Sequence, residues 1–286
     1  MKYYKFITLI SLSVSIYASD YDDDDSSSGE IPAKFEGLEV LDSEPAELNL
    51  GIINGNEAEP HSYPFQALIK MKVSKDRTAF CGGTLLTQRF VLSAGHCGQG
   101  YLGATITLGA HNISANENTT IEVNVRRIKL HEKFSRKTFS NDIALFELDD
   151  PVTYGLYIQP VQLPPRSYIR KNLKNKNATT IGWGLTNGTT AKQSPVLQEV
   201  QEKITSNFDC WLKFPQHVKK TNICISGKND KSACNGDSGG PLIVDGYQVG
   251  ITSFGARNCK SGYPTVFTRI TKYLKWVEKN SDYRTN

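Results

Sequence analysis

Three short segments of this 286-residue chain carry side chains that could together break an acyl bond. Gly236-Asp237-Ser238-Gly239-Gly240 sets a serine among glycines, where a tight turn can expose Oγ and let backbone N–H groups converge on one point. Ser93-Ala94-Gly95-His96-Cys97 puts an imidazole beside a cysteine that could fix it covalently. Asn141-Asp142-Ile143-Ala144-Leu145 puts a carboxylate at the mouth of an apolar strand, where burial would keep it oriented. Amide hydrolysis by a serine needs a base for the hydroxyl proton, an acid group to hold that base, and donors aimed at the developing oxyanion. Each segment alone also reads as an ordinary turn or a structural histidine. Their conjunction, each in its own motif, points to nucleophilic catalysis.

Other classes fit less well. Gly236-x-Ser238-x-Gly240 also matches the nucleophile elbow of esterases, but those place the histidine after the serine. No histidine follows Ser238 here, the last being His217. A secreted binding protein that had shed catalysis would be marked by a missing catalytic residue, and none is missing. A net charge of +4 allows nucleic acid as a partner, yet no stacking motif or groove-reading element accompanies it. Past the N-terminus no run of ~20 apolar residues offers a membrane span.

The elements that must position these groups read as β-structure. From Ile52 onward, short runs such as Phe65–Val73, Arg89–Ser93, Thr105–Leu108, Ile121–Leu130 and Ile143–Leu148 alternate with Gly, Pro, Asn and Asp. Thr179–Trp183, Val196–Lys203, Pro241–Val244, Gln248–Phe254 and Thr265–Arg269 continue the pattern, that of a barrel or sandwich rather than βαβ units. At the end, Ile270, Tyr273, Leu274 and Val277 fall at helical spacing, the stripe of an amphipathic helix docking on a core.

The N-terminus bears on the compartment. Lys2 and Lys5 precede an apolar stretch, Phe6 to Ile16, and the small residues Ala18 and Ser19 follow, the shape of a secretory signal peptide over residues 1–18. An oxidising destination makes the six cysteines three disulfides rather than a metal cluster, and no C-x-x-C spacing argues otherwise. Sequons at Asn112, Asn118, Asn177 and Asn187 suit a secreted surface. Residues 19–51 hold eleven acidic side chains against Lys34 alone, a net charge of −10, so they read as a solvated or removable acidic segment. The remainder, 52–286, carries +12.

In combination, several motifs are specific. Ile52-Ile53-Asn54-Gly55, Cys81-Gly82-Gly83-Thr84-Leu85, the Ser93–Cys97 and Asn141–Leu145 segments, Gly182-Trp183-Gly184, Gly236–Leu242, Ser253-Phe254-Gly255 and Tyr263-Pro264-Thr265-Val266-Phe267 resemble the chymotrypsin-type serine peptidases over Ile52 to Asn280. The resemblance implies an all-β fold of two six-stranded antiparallel barrels, the active site between them, and a C-terminal helix. It implies His96 as general base and then acid, Asp142 as its orienting carboxylate, Ser238 as nucleophile, and the N–H groups of Gly236 and Ser238 as the oxyanion hole. The family pairing is Cys81–Cys97, Cys210–Cys224 and Cys234–Cys259, which leaves no thiol to tether an excised propeptide. It further implies a zymogen of domain 52–286, whose cut after Gly51 frees the Ile52 ammonium to pair with Asp237. Glycine stands there where Arg or Lys is usual, and Gly95 stands where alanine is usual.

Specificity follows from the same resemblance. Ser232 occupies the pocket floor, Gly255 its entrance, and Thr265 a position where glycine is usual. An uncharged pocket for Leu, Phe, Tyr or Met results, with Thr265 penalising large rings and an elastase-like preference as the alternative. Ala110 replaces the first carboxylate of the family's calcium loop, so neither metal nor cofactor is expected. The expected partners are protein or peptide substrates, an activating peptidase and proteinaceous inhibitors. Neither nucleic acid nor membrane is expected, and the protein should act as a secreted monomer.

Overall fold

The computed structural model describes residues 52–185 and 194–285. The leader, the acidic segment, Gly51 and Asn187 lie outside the described residues.

Thirteen strands are described: β1 Asn56–Glu57, β2 Gln66–Lys72, β3 Thr78–Leu85, β4 Phe90–Ser93, β5 Gly103–Leu108, β6 Ile121–Leu130, β7 Ala144–Leu148, β8 Asn177–Gly182, β9 Gln198–Lys203, β10 Asn222–Ile225, β11 Pro241–Val244, β12 Tyr247–Phe254 and β13 Thr265–Arg269. Two short helices join them, α1 Asn207–Lys213 and α2 Leu274–Asn280. Strands β2-β3-β4-β7-β6-β5 form a closed antiparallel barrel. On β2 the side chains alternate: Ala67, Ile69 and Met71 are buried, while Lys72 turns outward. They meet Leu85, Leu92, Ile106, Leu108 and Phe146 in one apolar core.

The second half is a seven-stranded sheet in the order β1-β9-β8-β11-β12-β13-β10. It curls until β10 meets the chain leaving β9, through an isolated bridge between Ile204 and Ile225. Of the two expected barrels, then, the first closes by full ladders and the second by this single bridge, with β1 added outside β9. Its interior is Ala178, Ile204, Ile223, Ile225, Leu242, Val244, Val249 and Phe267.

The C-terminal stripe docks as its spacing predicts. Ile270, Tyr273, Leu274 and Val277 are all buried, and they join the core of the first barrel although β13, just before them, belongs to the second. Each such side chain contributes roughly 1.5–3 kcal/mol of burial, so the chain's last element holds the two halves together.

Three strands, the two-residue β1 among them, and one helix are absent from the sequence reading. Strand β3 contains Gly82 and Gly83, which look like a turn, but a Cβ at Gly82 would meet the Gly240 backbone at 3.0 Å. Close approach of two backbones, not a turn, requires glycine there. Strand β10 has only four residues, too few for a periodic signal. Helix α1 is capped by a short local motif that the sequence reading missed: Ser206 Oγ accepts from the Asp209 N–H at 3.0 Å, the N-cap of a Ser-x-x-Asp box.

Candidate active site

His96 sits in a one-turn 3-10 segment, Gly95–Cys97, directly after β4. Asp142 immediately precedes the apolar run into β7, and it is fully buried. Because β4 and β7 are ladder partners, with Ser93 opposite Ala144, the two connections emerge side by side at one barrel end. The carboxylate reads the histidine twice: Oδ1 accepts the His96 backbone N–H at 2.8 Å, and Oδ2 lies 2.8 Å from Nδ1. Ser253 Oγ donates to the same Oδ2 at 2.5 Å, and Thr268 Oγ1 donates to the Asp142 carbonyl at 2.7 Å. Residues of the second sheet thus fix a carboxylate carried by the first barrel.

The turn that aims Asp142 depends on Asn141, whose φ of 53° lies in the left-handed region that asparagine tolerates better than most residues. Asn141 Nδ2 donates to the Lys133 carbonyl at 2.7 Å, and its Oδ1 accepts from the Tyr273 hydroxyl at 3.0 Å. The C-terminal stripe therefore reaches the site through Tyr273.

The serine loop is folded by its own backbone. Asp237 N–H donates to the Cys234 carbonyl, Gly240 N–H to the Asp237 carbonyl and Gly239 N–H to the Thr252 carbonyl. Gly239 has φ +81°, and a Cβ there would lie 2.1 Å from Ser93 Oγ, so only glycine fits. The N–H groups of Gly236 and Ser238 are left without a partner among the described residues, two donors one residue apart. The Ser238 hydroxyl likewise has no hydrogen bond among the described residues. Its backbone is fixed beside the histidine loop: the Ser238 carbonyl accepts from Gly82 N–H at 2.7 Å and lies 3.6 Å from Cys97 Sγ.

Disulfides tie these pieces together. Cys81–Cys97 joins β3 to the residue after His96, and Cys234–Cys259 joins the serine loop to the connection between β12 and β13. Cys210–Cys224 pins α1 to β10. Since Gly82 N–H holds the Ser238 carbonyl, the Cys81–Cys97 bridge couples the strand that carries this contact to the residue after His96.

Asp237 is wholly buried. Gly184 N–H donates to its Oδ1 at 2.7 Å and Cys234 N–H to its Oδ2 at 2.9 Å. Burial outweighs those bonds and pushes its pKa up from 3.8 to about 7. Gly182 and Gly184 make the room: a Cβ on either would lie within 2.4 Å of the carboxylate. Ile52 is buried too, and Ile53 N–H donates to the Ser232 carbonyl at 3.1 Å, so the segment after Gly51 lies against the serine loop.

The three pocket candidates fall on adjoining elements. Ser232 is buried two residues before Cys234, and its hydroxyl has no partner among the described residues. Gly255 follows β12 with open space where a Cβ would project, and buried Thr265 opens β13. The Cys234–Cys259 bridge holds the Ser232 loop against the connection between them.

Other expectations find their places. A methyl on Gly95 would meet the Phe134 ring at 3.0 Å and Asp142 Oδ1 at 3.2 Å. Glycine in place of alanine lets Phe134 pack closer to the acid. Glu117 closes the Ala110–Glu122 loop by accepting from the N–H groups of His111 and Asn112 at 2.7 and 3.0 Å. Asn118 and Asn177 are exposed and Asn112 is half-buried. Spacing gave no sign of Ser253 or Thr268 as supports of the acid. Nor did it foresee a row of rings leading from His96 to Phe139 and on to Phe254, with successive centroids 5.6 Å apart.

Among the described residues, no helix is long and apolar enough to cross a membrane. The family model described as Trypsin matches residues 52–277. A chymotrypsin of Phaedon cochleariae is 40% identical over 254 residues, covering 88% of this chain and 90% of that protein. A brachyurin of Leptuca pugilator is also 40% identical, over 79% of this chain and 97% of its own length. A solved collagenase structure superposes with a TM-score of 0.75 at 32% identity, covering 82% of this chain and all of the other. With fold, motifs and relatives in agreement over the whole of its described body, the chain belongs to the trypsin family of chymotrypsin-like serine endopeptidases.

Proposed function

We propose that the protein is secreted as a zymogen and, once cut after Gly51, hydrolyses peptide bonds through a Ser238 acyl-enzyme. The observation that carries this reading is the buried Asp142 carboxylate facing both the backbone N–H and Nδ1 of His96, beside a serine loop with two backbone donors that have no partner among the described residues. With Nδ1 engaged by the acid, Nε2 is the nitrogen left to take the Ser238 proton and return it to the leaving amine. Asp142 sets the tautomer and stabilises the imidazolium. The Gly236 and Ser238 N–H groups meet the oxyanion, and losing one such donor typically costs about 10²–10³ in rate.

Secretion is supported by the leader pattern of residues 1–18 and by the three disulfides. Residues 19–51 would be the propeptide, removed by a peptidase that accepts Gly51. Exposed Asn118 and Asn177 are the better glycan acceptors among the described sequons. Proteinaceous inhibitors would enter the same cleft as substrate.

Labelling with a serine-reactive phosphonate tests the mechanism. The activated protein should gain one adduct at Ser238, and a His96→Ala form should label at a rate lower by orders of magnitude. An activated protein that stays unmodified would favour a binding role instead.

For the residue before the scissile bond, the floor at Ser232 is uncharged and the entrance at Gly255 is open, which supports Leu, Phe, Tyr or Met. Thr265, buried with its side chain retained, favours the smaller of these and keeps an elastase-like preference as the second reading. On a mixed peptide library, cleavage should fall after uncharged residues, with Trp least used. Predominant cleavage after Lys or Arg refutes the neutral floor. Each methylene is worth only about 1–3 kcal/mol of discrimination, so the profile should be broad.

A further inference from the structure

The row of rings does not stop at Phe254. Phe214 packs on Phe254 with centroids 5.6 Å apart, His217 packs on it at 5.9 Å, and Tyr263 follows Phe214 at 6.0 Å. These residues come from separate places in the chain: the connection after α1, the end of β12, and the loop before β13. Together they make an apolar ridge that starts at His96 and runs past the open side of Gly255.

Its far end is charged in one sense. Lys213 Nζ stands 4.9 Å from the Tyr263 ring centroid, and Lys260 Nζ stands 5.3 Å from the same centroid. Two exposed ammonium groups are therefore held within about 10 Å of each other, about one Debye length at 0.1 M salt, so each feels the other at low ionic strength. A tyrosine face returns only about 0.5–1 kcal/mol to an exposed cation, too little to neutralise either. Neither lysine has a carboxylate partner among the described residues. Lys219, on the stretch that follows His217, is also without one, and its ammonium donates to the Ser140 hydroxyl next to Phe139. Asp230, whose carboxylate accepts from the Ser261 hydroxyl and keeps its charge, forms no ion pair with either lysine among the described residues.

We infer that this ridge is an extended substrate subsite for acidic peptides, with Lys213 and Lys260 selecting Asp or Glu about three to five residues before the scissile bond. The inference rests on the peptidase reading above. An extended chain advances about 3.3 Å per residue. Phe214 lies 5.6 Å from Phe254, the residue before Gly255, and Tyr263 lies 6.0 Å beyond Phe214, spacings that an extended peptide passing Gly255 would cover in about two residues each. Its apolar atoms would lie on the rings, and its carboxylates would relieve the repulsion between the two lysines. Such exposed pairs act chiefly on encounter and partner choice, so the preference should fade with salt.

The test uses three otherwise identical internally quenched peptides carrying Glu, Ala or Lys at the third to fifth positions before the cleaved bond. For the activated protein at low salt, kcat/KM should favour the Glu peptide over the Lys peptide by about tenfold, the excess falling to about twofold near 0.5 M NaCl. In a Lys213→Ala/Lys260→Ala protein the Glu-to-Lys ratio, taken within that protein, should approach one. Equal rates in the parent protein, or a ratio that survives the double substitution, overturns the inference. A parallel arm measures fluorescence-anisotropy binding of the labelled Glu and Lys peptides to the activated Ser238→Ala form. Selective binding of the Glu peptide there supports the lysine subsite even if turnover is absent, a result that would count against the peptidase reading alone. Equal binding of the two peptides overturns the subsite regardless of turnover.

Discussion

An Asp142→Asn protein is expected to fold, form its three disulfides and lose about 10⁴ in kcat/KM. The substitution keeps the size of the side chain but replaces one acceptor oxygen with an NH₂. Asp142 now offers Oδ1 to the His96 backbone N–H, and Oδ2 to both Nδ1 and the Ser253 hydroxyl. If the amide oxygen keeps the backbone bond, its NH₂ faces Nδ1 and turns that nitrogen into an acceptor. The ring proton then sits on Nε2, the nitrogen that must receive the Ser238 proton. Ser253 can rotate to accept instead of donate, so the amide is tolerated structurally and the defect is one of tautomer. Steady-state kinetics on a neutral peptide, with near-UV circular dichroism as the folding control, checks it. An Asp142→Ala protein should be as slow but also less stable, because it leaves Ser253 and the His96 N–H buried without partners. A loss of less than tenfold in the asparagine form would mean that this carboxylate does not orient the base.

Motifs that bring chemistry to a strand end were legible from the chain because glycine, histidine and carboxylate each have a narrow reason to be there. Gly239 and Gly82 show this: both are required by a backbone or hydroxyl at less than or about 3 Å from where a Cβ would sit. The C-terminal stripe was legible because its four apolar residues share one face. What could not be read was whatever depends on contacts between distant segments. Ser253 and Thr268 look like any strand hydroxyls until β12 and β13 are set against the start of β7. The aromatic ridge gathers Phe139, Phe214, Phe254 and Tyr263 from four places with no common period. Its charge pattern is equally invisible, since Lys213 and Lys260 lie far apart in sequence and share only a ring. The second barrel's closure is a similar case: one bridge from Ile204 to Ile225 leaves no signature in either segment.

The uncleaved chain should lose stability as pH rises from about 4 to about 7, and cleavage after Gly51 should abolish that loss. Asp237 titrates near 3.8 when exposed, but burial raises it to about 7 in the fold. Between those values the folded form holds a proton that the unfolded form has released, so raising the pH favours unfolding. The group carries no penalty below about 4, and its full penalty is reached above about 7. Raising the Asp237 pKa from 3.8 to about 7 corresponds to about 4 kcal/mol, or roughly 8–16 °C in Tm for a body of this size. Cleavage turns the Ile52 amide into an ammonium. Ile52 is already buried, with Ile53 N–H bound to the Ser232 carbonyl, so the new charge would form on a segment that already lies against the loop leading to Asp237. Pairing would pull the Asp237 pKa back down and remove the slope between pH 4 and 7. It would also lift the ammonium above the ordinary α-amino range of about 7.7–8.0, so activity should disappear as pH climbs through that raised value. Breaking such a buried pair costs about 3–5 kcal/mol, enough to empty the active conformation. Thermal unfolding at pH 5 and pH 8, run on the precursor and its cleaved form in a Ser238→Ala background to prevent self-digestion, separates the two states. An Asp237→Asn precursor should show no such slope. Equal pH dependence before and after cleavage would place the switch somewhere other than Asp237.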